Sequence, residues 1–346
     1  MIMWNEIYQD DMDFIASYET IAWEKLFNKT ILVTGATGLI GSTLINALIY
    51  ANNKKSLNLK IVALVRSITK ARKLFKEDKN LQFVIGSVED LPKIDVPIDF
   101  IVHGASPTAS TFFVEHPVET INTAVIGTMN LLKLAVEKRV LGFTYLSSME
   151  VYGAPHADDI IYENQGTTID TMSVRSCYPE AKRLCESLCA SYASEYKLPA
   201  TAIRLAQTFG PGVSKDDNRV FAEFVRCAMQ GQDIVLQTAG TSKRCYLYTA
   251  DAVTAILTVL LNGEAGEVYN AANKATYCSI VEMAQLVAEK LAKKEIKIHV
   301  PNNGKHEQKF SPPHNLNLGT EKIEKLGWIA SKDLLEMYER MMKSMK

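Results

Sequence analysis

The sequence predicts an α/β fold, a doubly wound parallel sheet with helices on both faces and a smaller C-terminal lobe. Three observations carry that expectation. Short β-branched runs alternate with amphipathic helical stretches from residue 30 onward. The first run, Ile31-Leu32-Val33, ends in a glycine-spaced turn, Gly35-Ala36-Thr37-Gly38-Leu39-Ile40-Gly41, that opens a helix. The 346 residues exceed one ordinary domain of roughly 100–200 residues, which leaves chain for an appended lobe. The expected divisions are an N-terminal helical extension at 1–29, the sheet domain at 30–206 plus about 243–273, and the lobe at 207–242 plus 274–346.

Composition narrows the function classes. With 47% hydrophobic residues, 22% charged residues and a formal net charge of -1, nothing electrostatic points to nucleic acid or anionic lipid. The start lacks a basic region followed by an apolar run, and no stretch reaches the roughly 20 apolar residues of a membrane span, so a cytoplasmic location is the expectation. The six cysteines show no paired C-x-x-C spacing and read as reduced, mostly buried thiols, with no metal site. Before the first strand, Ile7, Phe14, Ile15, Tyr18, Ile21 and Trp23 form an apolar stripe interrupted by Asp10, Asp11 and Asp13. It suits a cap on the main domain or an oligomer contact.

Each glycine of the turn has a physical task. Gly35 permits the tight turn, Gly38 lets backbone approach a pyrophosphate, and Gly41 allows close helix packing. The free N–H groups around Thr37, Leu39 and Ile40 then face the phosphates. The second strand, Lys60 to Val65, ends at Arg66, where a carboxylate would accept a ribose 2′-hydroxyl. A guanidinium there suits a 2′-phosphate, so the cofactor expectation is NAD or NADP, with NADP slightly favoured. The fourth strand runs into Gly104-Ala105-Ser106-Pro107, a small-residue loop at a strand's carboxyl end, where such sheets bind ligands. His103, just before it, reads as a structural histidine.

A proton-handling set follows. Leu141 to Leu146 reads as a strand delivering Ser147 and Ser148, and Tyr178 and Lys182 stand four apart on the next helix, so both face one side. That spacing alone is weak, since Tyr50 and Lys54 repeat it. Order carries the case. An unperturbed phenol has a pKa of about 10. A neighbouring ammonium and an oxidised nicotinamide both favour phenolate, so Tyr178 can act as base near neutral pH, with Ser148 bonding the reacting oxygen and Lys182 also holding the cofactor ribose.

With these residues in view, the chain resembles the extended short-chain dehydrogenase/reductases of the NAD-dependent epimerase/dehydratase group, from residue 30 to about 340. The resemblance implies a Rossmann-type fold, a nucleotide-diphosphate sugar substrate and a homodimer formed through two helices per subunit. It places Ser87 and Val88 near the adenine, although Ser87 replaces the usual Asp, and Ala124 replaces an Asn in the segment before Gly127. It makes Ser106, Ser148 and Gln207 sugar contacts, with Gln207 in place of an Asn, and Arg219 and Arg244, each read as lying inside an apolar and aromatic strand, ligands of the diphosphate. Glu150 matches the glutamate that 4,6-dehydratases use as base at C5 and that UDP-glucuronate decarboxylases keep.

The leading expectation is a 4,6-dehydratase, in which the 4-ketone acidifies the C5 proton for Glu150. Met149 stands where some dehydratases carry an aspartate acid. The segment from Arg175 through Arg183 resembles the decarboxylases, yet their late arginine-rich stretch aligns with His314-Asn315-Leu316-Asn317-Leu318. Decarboxylase, 4-epimerase and NADPH-dependent 4-ketosugar reductase stay as alternatives. A dinucleotide-binding regulator without catalysis is the non-enzyme alternative.

Overall fold

A computed structural model describes residues 6–300 and 314–345. Residues 1–5 of the expected extension, and 301–313 and 346 of the expected lobe, lie outside the described residues. The chain opens with helix α1 (Glu6–Ser17), then alternates β1 (Thr30–Thr34), α2 (Leu39–Lys55), β2 (Lys60–Val65), α3 (Ile68–Leu74), β3 (Leu81–Ile85) and β4 (Phe100–His103). Next come α4 (Ser110–Glu115), α5 (Pro117–Lys138), β5 (Gly142–Ser148), a 3-10 turn (Met149–Tyr152), β6 (Ile160–Ile161), α6 (Cys177–Tyr196), β7 (Ala200–Leu205) and β8 (Gln207–Phe209). The remainder holds α7 (Val220–Gln230), β9 (Ile234–Val235), β10 (Lys243–Tyr248), α8 (Thr249–Asn262), β11 (Val268–Ala271), β12 (Asn273–Ser279), α9 (Ile280–Lys290), β13 (Ile298–His299), β14 (Asn315–Leu318), α10 (Glu321–Glu324) and α11 (Leu334–Met345).

Seven strands form one parallel sheet in the order β11-β7-β5-β4-β1-β2-β3. The order reverses between β1 and β4, which opens a crevice at their carboxyl ends. Side chains alternate along β1, so Ile31 and Val33 join Leu44, Leu48 and Ile256 on one face, while Leu32 joins Leu131, Leu132 and Cys185 on the other. Burial of each large aliphatic side chain contributes about 1.5–3 kcal/mol, and both faces of the sheet collect it.

A second sheet runs β12-β10-β14-β6, with β8 on β10, and β13 pairs with β9. Here the strand assignment departs from expectation. Of the segment 243–273, only β11 completes the main sheet, while Lys243–Tyr248 belongs to the second. Strand, helix, strand in sequence looks like one parallel unit, but alternation reports a strand without naming its partner.

The extension packs back on the domain. Tyr8, Met12, Ile15 and Ala16 of α1 are buried in the cluster that contains α2 and α8. Asp11 is not a solvent-facing interruption of the stripe. It is buried, accepts the Tyr248 hydroxyl at 2.7 and 2.9 Å, and pairs with Arg340 of α11 at 2.8 Å. All six cysteines are free thiols, and no helix among the described residues is long and apolar enough to cross a membrane.

Candidate active site

The glycine turn lies at the crevice. Gly35 has φ +67°, a left-handed conformation that favours glycine, and a Cβ there would lie 2.4 Å from the Gly104 carbonyl oxygen. A Cβ on Gly41 would lie 2.2 Å from the Gly35 oxygen, which is why α2 can approach the turn so closely. Exposed Gly38 starts α2 with no side-chain cap, so the first-turn amides, flanked by Thr37, Leu39 and Ile40, stay available to an anion.

Around the turn stand the other expected cofactor positions. Arg66 is exposed beyond the end of β2, and its charge is felt by the Glu89 carboxyl. Ser87 accepts from the Asp90 amide at 3.0 Å. Val88 is buried against Gly127, where a Cβ would meet its Cγ2 at 2.5 Å, and Asn130 bonds its carbonyl at 3.0 Å. The Ala105 amide donates to Thr34 Oγ1 at 3.2 Å, and the buried Ser106 hydroxyl has no partner among the described residues.

His103 is structural. Its Nδ1 lies 2.7 Å from Thr34 Oγ1 and its Nε2 3.1 Å from Thr128 Oγ1. Burial, with a smaller push from Lys182, lowers its pKa to about 3, so the ring stays neutral.

The structure brings Ser148, Glu150, Tyr178 and Lys182 together at the carboxyl end of β5. Ser148 closes the strand and caps the following turn, accepting from the Glu150 amide at 3.2 Å, and its hydroxyl is near enough to the Tyr178 phenol to oppose the rise of its pKa. Helix α6 presents Tyr178 and Lys182 because Pro179 pre-sets its first turn and Ala181, Cys185, Cys189 and Ala193 bury a small-residue face at intervals of four. The Lys182 ammonium donates to the Leu146 carbonyl at 2.7 Å and lies 4.6 Å from the Tyr145 ring centroid and 5.6 Å from that of Tyr178.

The electrostatics correct one expectation. Burial and then the Glu150 charge push the Tyr178 phenol upward, against smaller opposing effects of Ser148 and Arg175. The Lys182 ammonium, expected to favour the phenolate, is turned to the Leu146 carbonyl. Burial lowers Lys182 itself to about 8, opposed by Cys185, Glu186 and Glu150.

Two partners complete the set: Arg175, named in the sequence only for its segment's resemblance to the decarboxylases, and Phe113, not named there. Arg175 forms an ion pair with Glu150 at 2.6 Å and lies 4.8 Å over the Phe113 ring. Phe113 in turn stacks on Tyr178, centroids 4.3 Å apart and planes 13° from parallel. Arg175 precedes α6 in a stretch without periodicity, and Phe113 is 65 positions from Tyr178, so neither contact was readable from spacing. The decoy pair Tyr50 and Lys54 instead meets the Asp13 carboxylate on the α1–α2 surface.

The expected substrate contacts fall on the second sheet and on α7. Gln207 starts β8 opposite Tyr246. Arg244, on β10, has a buried Nε with no partner among the described residues and an Nη2 3.4 Å from His314 Nε2. Arg219 does not sit within a strand. It caps α7, bonded to Asp217 at 2.6 Å and over the Phe221 ring at 4.7 Å, because Asp217 two residues earlier neutralises it locally. No cluster of three or more metal-ligating side chains occurs among the described residues.

The chain matches the model of the NAD dependent epimerase/dehydratase family over residues 31–272. Over 303 residues it is 33% identical to UDP-glucuronic acid decarboxylase 6 of Arabidopsis thaliana, covering 87% of this chain and 84% of that one. Among solved structures it is similar to UDP-glucose 4-epimerase of Thermotoga maritima, with TM-score 0.75, 22% identity and coverage of 91% of this chain and 98% of that one. It is also similar to dTDP-glucose 4,6-dehydratase of Bacillus anthracis, with TM-score 0.72, 20% identity and coverage of 91% and 96%. At those identities the likeness establishes the shared fold. The glycine turn at the switch of the sheet, the Ser148–Tyr178–Lys182 cluster and the length of the match lead to one conclusion: this chain is a member of the NAD dependent epimerase/dehydratase family, an enzyme of the extended short-chain dehydrogenase/reductase type.

Proposed function

We propose that this enzyme oxidises the sugar of a nucleotide diphosphate sugar at C4 and then transforms the resulting 4-ketone at C5 and C6. The observation that carries the reading is the gathering of Ser148, the Tyr178 phenol and the Lys182 ammonium, one helical turn after Tyr178 and 5.6 Å from its ring centroid, at the carboxyl end of β5. Tyr178 takes the proton of the 4-hydroxyl, Ser148 holds that oxygen, and Lys182 holds the cofactor ribose. A nicotinamide dinucleotide bound at the glycine turn supplies the acceptor for the C4 hydride. The uncapped start of α2, the close approaches at Gly35 and Gly41 and the orphaned Ser106 hydroxyl fit such a group. Ser87, Val88 and Ala105 line its adenine and ribose side. Exposed Arg66 favours NADP over NAD.

Arg244 is the strongest candidate for the diphosphate, because a buried guanidinium Nε without a partner calls for an anion. Arg219, already paired with Asp217, contributes if the diphosphate displaces that carboxylate. The lobe formed by 207–242 and 274–346, with Gln207 at its start, closes over the sugar. Val118 and Ile121 of α5 and Leu184 of α6 are exposed apolar side chains that suit a homodimer through these two helices.

For the second step, decarboxylation of a UDP-uronate is favoured. A 4-keto uronate is a β-keto acid, whose carboxylate leaves as carbon dioxide while its bond electrons pass to the ketone, with no base at C5. That suits a Glu150 already engaged by Arg175, and it suits the similarity to UDP-glucuronic acid decarboxylases. The 4,6-dehydratase expected from the sequence is the second reading, supported by the retained Glu150 and by the loss of the late arginines at 314–318. Purified enzyme supplied with NAD+ or NADP+ and a panel of UDP-, dTDP-, GDP- and CDP-sugars tests both. Loss of carbon dioxide supports decarboxylation, loss of water supports dehydration, and the absence of any C4 chemistry on the whole panel overturns the proposal.

A further inference from the structure

One nearly buried carboxylate beside the proposed catalytic cluster takes no part in the chemistry above. Glu186 follows Lys182 by one turn of α6, so the two side chains leave the same side of the helix. Its Oε1 accepts from Ser147 Oγ at 2.5 Å, and Ser147 is the chain neighbour of Ser148. Arg204 of β7 closes on the same carboxylate through Nε at 3.0 and 3.2 Å and Nη2 at 2.7 Å, with both side chains 11% exposed. Nη1 of Arg204 turns the other way, to the Tyr152 hydroxyl at 2.8 Å and the Glu163 carbonyl at 2.9 Å. Tyr152 donates onward to Asn270 at 2.7 Å, and Asn270 bonds the Ile161 and Gly319 carbonyls at 3.2 and 3.0 Å.

A nearly buried ion pair returns little net stability, because desolvation offsets its attraction and a well-packed apolar pair serves as well. What it supplies is position. We propose that Glu186, gripped by Arg204, is a positioning residue for the C4 chemistry: through Ser147 it fixes the seat of Ser148 against α6, and through Arg204 it ties that seat to the segments at 161–163 and 319. The proposal rests on the C4-oxidation reading. Glu186 also acts on Lys182 directly. The groups facing that ammonium are Tyr178, Cys185 and Glu186 on α6, Glu150 on the 3-10 turn, Tyr145 on β5 and His103 on β4. Of these, Cys185, Glu186 and Glu150 oppose the burial that lowers Lys182 to about 8.

The test compares the full-length holoenzyme with Glu186→Met/Arg204→Met, which removes both charges, and with Glu186→Gln, which keeps an acceptor for Ser147. The double variant is expected to melt cooperatively and bind cofactor, while kcat falls ~10–100-fold and KM for the nucleotide sugar moves less than about threefold. Glu186→Gln, which removes the negative charge and leaves Arg204, is expected to keep more of kcat, yet the alkaline limb of its pH profile moves to lower pH. A folded double variant with kcat within about twofold of wild type, or an unmoved limb in Glu186→Gln, overturns the proposal. Should wild type turn over no nucleotide sugar, the functional reading fails first. The Lys182 titration, followed by lysine Nζ NMR in the full chain, then decides separately: an unchanged midpoint in Glu186→Gln overturns the role of Glu186, and a lowered one supports it.

Discussion

Glu150 and Arg175 hold each other at 2.6 Å beside the Tyr178 phenol, and they act on it in opposite directions. The carboxylate raises the phenol's pKa and the guanidinium lowers it. Arg175→Met is therefore expected to move the acidic limb of the kcat/KM profile to higher pH, and Glu150→Gln to move it to lower pH. Limbs that shift together, or in the reverse sense, contradict this assignment.

Tyr178→Phe removes the proton acceptor and leaves the Phe113 stacking intact. Turnover is expected to drop ~100–10,000-fold with an unchanged melting temperature and near-normal cofactor binding. Lys182→Met is expected to lose activity as well, with a smaller penalty in stability than most buried substitutions, since burial already disfavours its charge. Measured rates within tenfold of wild type for Tyr178→Phe count against the phenol as base.

His103 gives the fold an acid-sensitive point. Its pKa is about 3 when folded against 6.5 as the ordinary value, so the unfolded chain takes up a proton that the folded chain refuses. Stability from this group is complete above pH 6.5 and is lost as pH falls towards 3, at about 1.4 kcal/mol per pH unit. Urea unfolding between pH 7 and pH 4 is expected to show that slope, and His103→Gln to flatten it.

The Asp11–Tyr248–Arg340 cluster clamps both terminal helices to β10. Asp11→Ala leaves Arg340 with one carboxylate among the described residues, Asp10 at 3.7 Å, beside its neutral partners Tyr248 and the Ile7 carbonyl, and is expected to cost roughly 3–5 kcal/mol in urea unfolding. Tyr248→Phe, which removes one hydroxyl between them, is expected to cost roughly 1–3 kcal/mol. Asp13→Ala, on the exposed side of the same helix, should leave the unfolding midpoint nearly where it was.

Gly41→Ala adds a methyl group that meets the Gly35 carbonyl oxygen at 2.2 Å, with backbone on both sides and no flexible side chain to yield. The expected cost is roughly 1–3 kcal/mol, with weakened NADH binding in a fluorescence titration. Normal affinity in a stable variant would detach the turn from cofactor binding.

Much of this was legible in the chain. The strand–turn–helix around Gly35 to Gly41, the order of β1 to β5 and the pair Tyr178 and Lys182 depend on local sterics and on periodicities of 2 and 3.6, which a sequence displays directly. The burial of Asp11 was not readable because its counter-charge, Arg340, lies 329 positions away. Membership of Lys243–Tyr248 in the second sheet, and the capture of Arg219 by Asp217, were equally hidden, since pairing is decided by which edges meet after collapse.

By itself, then, the sequence determined which residue types could bind a dinucleotide and move a proton, because backbone freedom at glycine and the acidity of a phenol are properties of single residues. Only the tertiary structure decided how those groups are biased: the Glu150–Arg175 pair, the Phe113 stack, the Glu186–Arg204 grip and the burial that shifts Tyr178 and Lys182. Electrostatic energies depend on distance and on exclusion of water, and both come into being when remote segments pack.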